Sequence, residues 1–250
     1  MSTFVLVHGA WHGRWAWDKV VPLLEEAGHK VEAPDLPGLG DDETPVREVS
    51  LQSYADRVCQ VIDRQSEPVI LVGHSMGGIV ISQAAEQCPE KIETLVYLSG
   101  FLLPSGTSLV ELSQSDTADT DSIATQNLVV NEAEGVVMVR EEAIREAFYG
   151  DCSEEDVVWA KARLMPQPLA PLVTPVRTTK ENFGRIPRVY IECLRDRGIT
   201  PSTQRKMYTS LPCERIISMD TSHSPFLSAP KELVSHLVSL ASRSLGRHRA

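Results

Sequence analysis

Short apolar runs rich in β-branched residues recur along the chain and alternate with segments of helical periodicity. Continuous apolar runs are typical of parallel strands that helices cover on both faces. The alternation therefore predicts an α/β fold with a mostly parallel, six-stranded sheet flanked by helices. The predicted strands are Phe4–Val7, Lys30–Ala33, Val69–Val72, Thr94–Leu98, Arg188–Glu192 and Arg215–Met219.

Three amphipathic patterns predict helices between and after these strands. The first helix has Ser50 as its N-cap, and the second ends before Pro89. The third lies near the C terminus and is followed by a basic tail, Arg243–Ala250, that we expect to fray. The apolar faces comprise Leu51, Tyr54, Ala55, Val58, Ile62, Ile79, Val80, Ala84, Leu233, Leu237, Val238 and Leu240.

The alternation stops in the middle of the chain, where the pattern predicts no strand of the main sheet. Ser113–Asp121 is polar and typical of a loop, whereas Arg140–Phe148 and Glu154–Leu164 have helical patterns. An insertion in a parallel sheet usually covers the carboxyl edge, where ligands bind. We therefore expect a single domain over 1–250 with a helical cap at 104–185; a surface insertion without a role in binding is the alternative.

Composition and charge restrict the partners. The 250 residues are 42% hydrophobic and 23% charged, as in ordinary globular domains. The net charge of −10 disfavours nucleic acid and anionic membranes as partners. No apolar run is long enough to span a membrane, and Phe4–Val7 is too short for a signal-peptide core. The five scattered cysteines form no metal-binding motif, so we expect reduced thiols, a cytoplasmic location and no metal.

The segment Gly73–Gly78 predicts a sharp turn between a strand and a helix, with Ser75 at the turn. The Gly-x-Ser-x-Gly spacing removes Cβ atoms that would collide where the chain folds back. Helix amides just behind the serine favour an anion at this point. The motif therefore indicates a nucleophilic serine, which needs a general base, an acid that orients the base, and donors for an oxyanion.

The base and the acid are expected from loops at the sheet edge that holds Ser75. Of the seven histidines, His223 is favoured because its loop follows the last strand; a surface histidine without a catalytic role is the alternative. Asp196 follows the preceding strand and would hold the imidazole tautomer. Asp220 competes as the acid, but so short a loop can hardly aim its carboxylate back at His223.

Backbone amides are the expected donors to the oxyanion. The Met76 N–H begins the helix after Ser75, and the Ala10 N–H lies in the loop after the first strand. Gly9 in that loop allows a close approach to the reacting carbon. His8 is expected to be a structural hydrogen-bonding residue, and a place in the pocket wall is the alternative.

Several segments resemble one α/β-hydrolase subfamily, which holds plant methylesterases, hydroxynitrile lyases and bacterial carboxylesterases, including pyrethroid hydrolases. The segments are Phe4–Gly13, Gly28–Val31, Asp35–Gly38, Val72–Gly78 and Ser222–Pro225. The similarity covers nearly the whole chain and is weakest in the cap. It implies an α/β-hydrolase fold without a cofactor, and a catalytic triad in the order Ser75, Asp196, His223.

Two positions separate the branches of this subfamily. The lyases that the chain resembles carry a threonine where this chain has Gly9, and a lysine where it has Ser224. The positive charge of that lysine stabilises departing cyanide, so the resemblance favours hydrolysis over cyanohydrin cleavage. The Ser-Pro-Phe-Leu run that begins at Ser224 resembles the bacterial esterase branch.

The sequence thus predicts a serine carboxylesterase that hydrolyses small to medium hydrophobic esters, of methyl, aryl or pyrethroid type, through an acyl-enzyme. The alternatives are a tailoring methylesterase or lactonase, a hydroxynitrile lyase, and a receptor that does not turn its ligand over. A homodimer formed through an apolar cap is a further option. Candidate substrate contacts, each also compatible with a core role, are Trp11, Phe101, Trp159, Leu164, Met165 and Phe226.

Overall fold

The computed structural model describes residues 1–115 and 121–247. Nine strands lie in this part of the chain: β1 (Thr3–Val7), β2 (Lys30–Glu32), β3 (Val69–His74), β4 (Ile92–Leu98), β5 (Leu128–Asn131), β6 (Val136–Val139), β7 (Gln167–Pro168), β8 (Arg188–Cys193) and β9 (Arg215–Met219). The described helices are α1 (Val21–Glu26), α2 (Leu51–Asp63), α3 (Gly77–Gln87), α4 (Leu109–Ser115), α5 (Ile123–Gln126), α6 (Glu141–Phe148), α7 (Glu154–Lys161), α8 (Ala170–Val173), α9 (Pro201–Ser210), α10 (Pro225–Ser228) and α11 (Pro230–Arg247). Short 3₁₀ helices occupy Arg14–Trp17, Val46–Glu48, Pro89–Lys91 and Phe183–Arg185.

Six strands form one parallel sheet in the order β2-β1-β3-β4-β8-β9, which confirms the predicted fold class. Because strand side chains alternate in direction, each strand supplies two hydrophobic layers. Phe4 and Leu6 of β1 pack in the layer that contains α1 and α11, whereas Val5 and Val7 pack in the layer with α2 and α3. All six carboxyl ends meet at one edge of the sheet, and this edge carries the predicted site residues.

The segment between β4 and β8 contains more structure than its pattern predicts. It holds helices α4 to α8 and a small antiparallel sheet in the order β5-β6-β7, separate from the main sheet. The strand Gln167–Pro168 is too short to be detected from periodicity. The predicted loop Ser113–Asp121 is wrong at its start, because α4 extends to Ser115; residues 116–120 lie outside the described part.

Two helix ends differ from the sequence predictions. The helix predicted over Glu154–Leu164 ends at Lys161, and Ser153 caps its start by accepting a hydrogen bond from the Asp156 N–H. The C-terminal helix α11 continues to Arg247, so it includes most of the tail that was expected to fray; residues 248–250 lie outside the described part. Among the described helices, none combines the length and the apolar character needed to cross a bilayer.

Candidate active site

Ser75 lies on a tight turn between β3 and α3, and its φ of +53° is in the left-handed region. Flanking glycines make this turn sterically accessible. A Cβ atom on Gly73 would lie 2.5 Å from the Gly77 carbonyl oxygen, and one on Gly77 would lie 2.7 Å from the Val7 carbonyl oxygen. A strained, non-glycine turn of this kind is maintained only where the surrounding structure enforces it, and such turns cluster at active sites.

Backbone hydrogen bonds hold the turn against the end of β4. The Ser75 N–H donates to the Leu98 carbonyl oxygen at 3.3 Å. The Ser75 carbonyl oxygen accepts from the N–H groups of Gly78 and Phe101, each at 3.0 Å. Ser75 is 7% exposed and lies at the edge where the strands end.

His223 and Asp196, which are 27 residues apart in sequence, meet at the same edge. The His223 Nδ1 lies 2.7 Å from the Asp196 Oδ2, and each residue is only 2% exposed. Asp196 follows β8 and His223 follows β9, as the loop positions predict. Asp220, the competing acid, instead forms an ion pair with Arg195 at 3.0 Å on the surface.

The Asp196 carboxylate is saturated with donors. Its Oδ1 accepts from the N–H groups of Gly198 at 2.7 Å and Ile199 at 2.9 Å. Its Oδ2 accepts from the Ser99 hydroxyl and from the Gln204 Nε2 at 3.3 Å, besides His223. These hydrogen bonds fix the orientation of the carboxylate. Sequence reasoning missed Ser99 and Gln204, since neither belongs to a motif.

His74 connects the serine turn to the histidine loop. Its Nε2 lies 2.8 Å from the His223 carbonyl oxygen, and the two rings lie 4.6 Å apart. No hydrogen bond joins the Ser75 hydroxyl to the His223 ring among the described contacts. Such bonds are often long in free enzymes and shorten when substrate binds.

The Ala10 and Met76 amides, predicted as oxyanion donors, are free to bind a ligand. Neither the Ala10 N–H nor the Met76 N–H donates to another group in the described part of the chain. The first loop approaches the serine closely, since a Cβ atom on Gly9 would lie 2.9 Å from the Ser75 Cβ. An oxyanion donor needs an N–H without another partner, so both amides stay candidates for this role.

A model of the alpha/beta hydrolase family matches residues 4–236. The chain belongs to this family. Salicylic acid-binding protein 2 of Nicotiana tabacum is 34% identical to it over 257 residues, which cover 95% of this chain and 96% of that protein. The crystal structure of a pyrethroid hydrolase from Sphingobium faniae JZ-2 matches this chain with a TM-score of 0.88 and 30% sequence identity. The match covers 96% of this chain and 97% of the chain in that crystal structure.

Some members of the family are longer than this chain. Putative methylesterase 11, chloroplastic, of Arabidopsis thaliana is 31% identical over 247 residues, which are 95% of this chain and 63% of that protein. The chain therefore spans less than two thirds of that relative. Within its described residues, no cluster of three or more histidine, cysteine or acidic side chains could hold a metal ion.

The segment between β4 and β8 contacts the loop after β1 through Trp11. The Trp11 backbone has a φ of +64°, and its carbonyl oxygen accepts from the Met165 N–H at 2.9 Å. Its indole Nε1 donates to the Val137 carbonyl oxygen at 2.8 Å, and its ring packs on Phe148 with centroids 5.4 Å apart. The inserted segment thus holds the residue that follows Ala10.

The six predicted substrate contacts divide into different environments. Phe226 is fully buried between Trp17 and His74, so its assignment as a substrate contact is wrong: it is a core residue beneath the site. Trp159 packs edge-on against Trp15, with the Arg163 guanidinium over its ring.

The other candidates are partly buried. Phe101 packs beside the Ser75 turn, where its N–H binds the Ser75 carbonyl oxygen. Leu164 and Met165 line a cavity of about 730 Å³ whose walls include none of Ser75, Asp196 or His223. Of these candidates, Phe101 contacts the Ser75 turn through its backbone, and Trp11 directly follows Ala10 in the first loop.

Three buried histidines surround the site in neutral form. Burial lowers the pKa of His12 to about 3 and holds the pKa of His8 and of His74 below the usual value. The His12 ring lies 2.7 Å from both the Ala10 carbonyl oxygen and the Tyr149 hydroxyl. The His8 ring lies 2.8 Å from the Gly9 carbonyl oxygen and accepts from the Leu36 N–H at 3.1 Å, which is a structural role.

This burial predicts that the protein loses stability in mild acid. The unfolded His12 side chain takes up a proton near pH 6.5, whereas the folded one does so only near pH 3. The free energy of unfolding should therefore fall as the pH drops from 6.5 towards 3, by about 1.4 kcal/mol per pH unit for each such histidine. Urea unfolding at pH 7, 6 and 5 measures this slope. The variant His12→Asn should have a smaller slope. An unfolding free energy that stays constant from pH 7 to pH 5 would contradict the lowered pKa of the buried histidines.

Proposed function

We propose that the protein is a carboxylic ester hydrolase that works through an acyl-enzyme on Ser75. The observation that carries this proposal is the buried His223–Asp196 pair, at 2.7 Å, at the sheet edge that also holds the strained Ser75 turn. A serine, a histidine and an aspartate from three separate loops form the arrangement that activates a hydroxyl for acyl transfer. The names of its relatives support the same reaction class.

In the proposed mechanism, His223 acts first as a base. Because its Nδ1–H donates to Asp196, its Nε2 is free to accept the Ser75 proton as the hydroxyl oxygen attacks the ester carbonyl. The tetrahedral oxyanion then accepts hydrogen bonds from the Ala10 and Met76 amides. The Asp196 carboxylate stabilises the imidazolium that forms.

The second half of the reaction reverses these roles. The His223 imidazolium gives its proton to the departing alcohol, which leaves the acyl group on the Ser75 oxygen. His223 then takes a proton from a water molecule that attacks this acyl-enzyme. The collapse of the second tetrahedral intermediate releases the carboxylic acid and returns the proton to Ser75.

We propose that the segment at 104–185 serves as a cap over this site. Its Phe148 ring lies 5.6 Å from the His223 ring, and its Asp151 accepts from the Ser222 N–H at 2.8 Å. Such a cover excludes water from a reacting ester and supplies apolar contacts, with Trp11 and Phe101 as the adjoining wall. Hydrophobic methyl, aryl or pyrethroid-type esters fit this environment, and two relatives are named for such activities.

Cyanohydrin cleavage is disfavoured by the same geometry. A side chain at position 9 would collide with the Ser75 Cβ, so the first loop has no room for the lyase threonine. Ser224 is fully buried and uncharged, so it cannot stabilise departing cyanide as a lysine does. A tailoring methylesterase or a lactonase would use the same residues and is tested below.

The proposed function is tested by ranking substrates on the purified protein. The panel contains p-nitrophenyl acetate, methyl esters of aromatic acids, a pyrethroid ester, a lactone and mandelonitrile. We expect the highest kcat/KM on hydrophobic esters and no cyanide from mandelonitrile, since this ratio reports differential binding of transition states. A preference for the lactone would favour the lactonase alternative. Cyanide release, or binding of esters without turnover, would contradict the proposal.

Location and assembly belong to the same proposal. We propose a cytoplasmic protein, since the five described cysteines are free thiols, although some longer relatives are named chloroplastic. A homodimer through the cap is tested by light scattering across a range of concentrations.

A further inference from the structure

Ser99 stands at the end of β4 in a conformation that few serines adopt. Its φ is +40°, it is fully buried, and its N–H donates to the Ile191 carbonyl oxygen at 2.8 Å. A left-handed, non-glycine residue is strained and persists only where its surroundings enforce it. The conformation directs the Ser99 hydroxyl to the Asp196 carboxylate.

The oxygen that Ser99 contacts is the one that binds the histidine. The Asp196 Oδ2 accepts from the Ser99 hydroxyl, from the His223 Nδ1 at 2.7 Å and from the Gln204 Nε2 at 3.3 Å. The Gln204 amide has other partners, since it also donates to the Ile199 carbonyl oxygen at 2.7 Å. The serine hydroxyl donates only to this carboxylate oxygen in the described part of the chain.

We propose that Ser99 is a positioning residue that sets the orientation and the basicity of the Asp196–His223 pair. This inference rests on the proposed function, in which that pair activates Ser75. By donating to Oδ2, the hydroxyl disperses negative charge that would otherwise fall on the histidine alone. Without it, the carboxylate binds the imidazolium more strongly, and His223 stays protonated to a higher pH.

Other ionisable groups near the pair do not titrate in the neutral range. Burial raises the pKa of Tyr190 and of Cys193, which face Asp196, well above their usual values. Burial lowers the pKa of His12 to about 3 and that of His74 well below its usual value; both face His223. At the rim, Arg195 is paired with Asp151 and Asp220. A change in the neutral pH profile therefore reports the pair itself.

Two variants test the proposal. Ser99→Ala removes the hydroxyl but keeps a side chain in the left-handed region, whereas Ser99→Gly removes the hydroxyl and also relieves the backbone strain. In both, we expect the acid limb of the kcat/KM profile for p-nitrophenyl acetate to move up by about one pH unit. The plateau should fall by about 10-fold, because the Asp196 carboxylate loses a hydrogen bond that fixes its orientation and the imidazole is then aimed less accurately.

The matched control is Ser82→Ala. Ser82 is also a fully buried serine, but its hydroxyl lies 2.7 Å from the Tyr97 hydroxyl and has no contact with Asp196. The acid limb of the kcat/KM profile of Ser82→Ala should coincide with that of the unaltered protein. An equal movement in this variant would show that any lost buried hydroxyl perturbs the profile, and would overturn the proposal.

Titration of the His223 ring by NMR separates this inference from the proposed function. The ring signal, assigned through His223→Gln, should titrate at a higher pH in Ser99→Ala and Ser99→Gly, whether or not the protein hydrolyses esters. An unchanged titration in both variants overturns the role of Ser99. A titration that moves in Ser99→Ala but not in Ser99→Gly also overturns it, because backbone strain at position 99, and not the lost hydroxyl, would then cause the movement. Absence of ester turnover in the unaltered protein contradicts the proposed function instead.

Discussion

Replacement of Ser75 by alanine is expected to lower kcat for p-nitrophenyl acetate by about 10⁵–10⁶-fold. The change removes the only atom that the proposed mechanism bonds to the acyl group, while the oxyanion amides and the pocket stay in place. The residual rate should therefore be that of a bound ester attacked by water. Initial rates at high enzyme concentration measure the loss.

Two controls make the Ser75 result specific. Ser75→Gly fits the left-handed turn without strain, so it should unfold at a temperature close to that of the unaltered protein and still be inactive. Ser82→Ala removes a buried serine from helix α3, which follows the Ser75 turn, and should keep the activity. More than a few per cent of the original kcat in a highly purified Ser75→Ala sample would rule out Ser75 as the nucleophile.

Replacement of Asp196 by asparagine is expected to lower kcat by about 10³–10⁴-fold. The Gly198 and Ile199 N–H groups both donate to one side of the Asp196 carboxyl, so the asparagine carbonyl must take that side. Its amide NH₂ then faces the His223 Nδ1, which has to become an acceptor. The proton moves to Nε2, and the imidazole can no longer take the Ser75 proton.

The matched control for Asp196 is the neighbouring acid Asp220. It lies on the surface, paired with Arg195, and exposed ion pairs contribute little. We expect Asp220→Asn to change kcat by less than about twofold, within the small effects of an exposed pair. A decrease in kcat of less than tenfold for Asp196→Asn, together with a larger decrease for Asp220→Asn, would show that Asp196 is not the acid that orients His223.

The sheet and the serine turn could be predicted because their signals are local. Several strands are continuous apolar runs, and the turn at Ser75 needs glycines at fixed spacing, which the collisions at Gly73 and Gly77 explain. The expected positions of His223 and Asp196 followed from topology alone, since parallel strands deliver their loops to one edge.

The remaining features depend on contacts that no local pattern records. Ser99 meets Asp196 across 97 residues of sequence, and its left-handed backbone is set by packing at the end of β4. The small sheet of the inserted segment joins strands of two to four residues, below the length at which periodicity is informative. Phe226 is an aromatic residue of the kind that often lines a pocket, and only its complete burial assigns it to the core.

Mass spectrometry of the acyl-enzyme tests the central claim most directly. The unaltered protein and His223→Ala are mixed with p-nitrophenyl acetate, quenched in acid within a turnover, and digested. We predict one acetyl group on the peptide that contains Ser75. The acetyl group should be short-lived in the unaltered protein. It should persist in any His223→Ala molecules that become acylated, because deacylation needs the histidine base. Rapid hydrolysis with no acetyl group on Ser75 at any time would contradict the account.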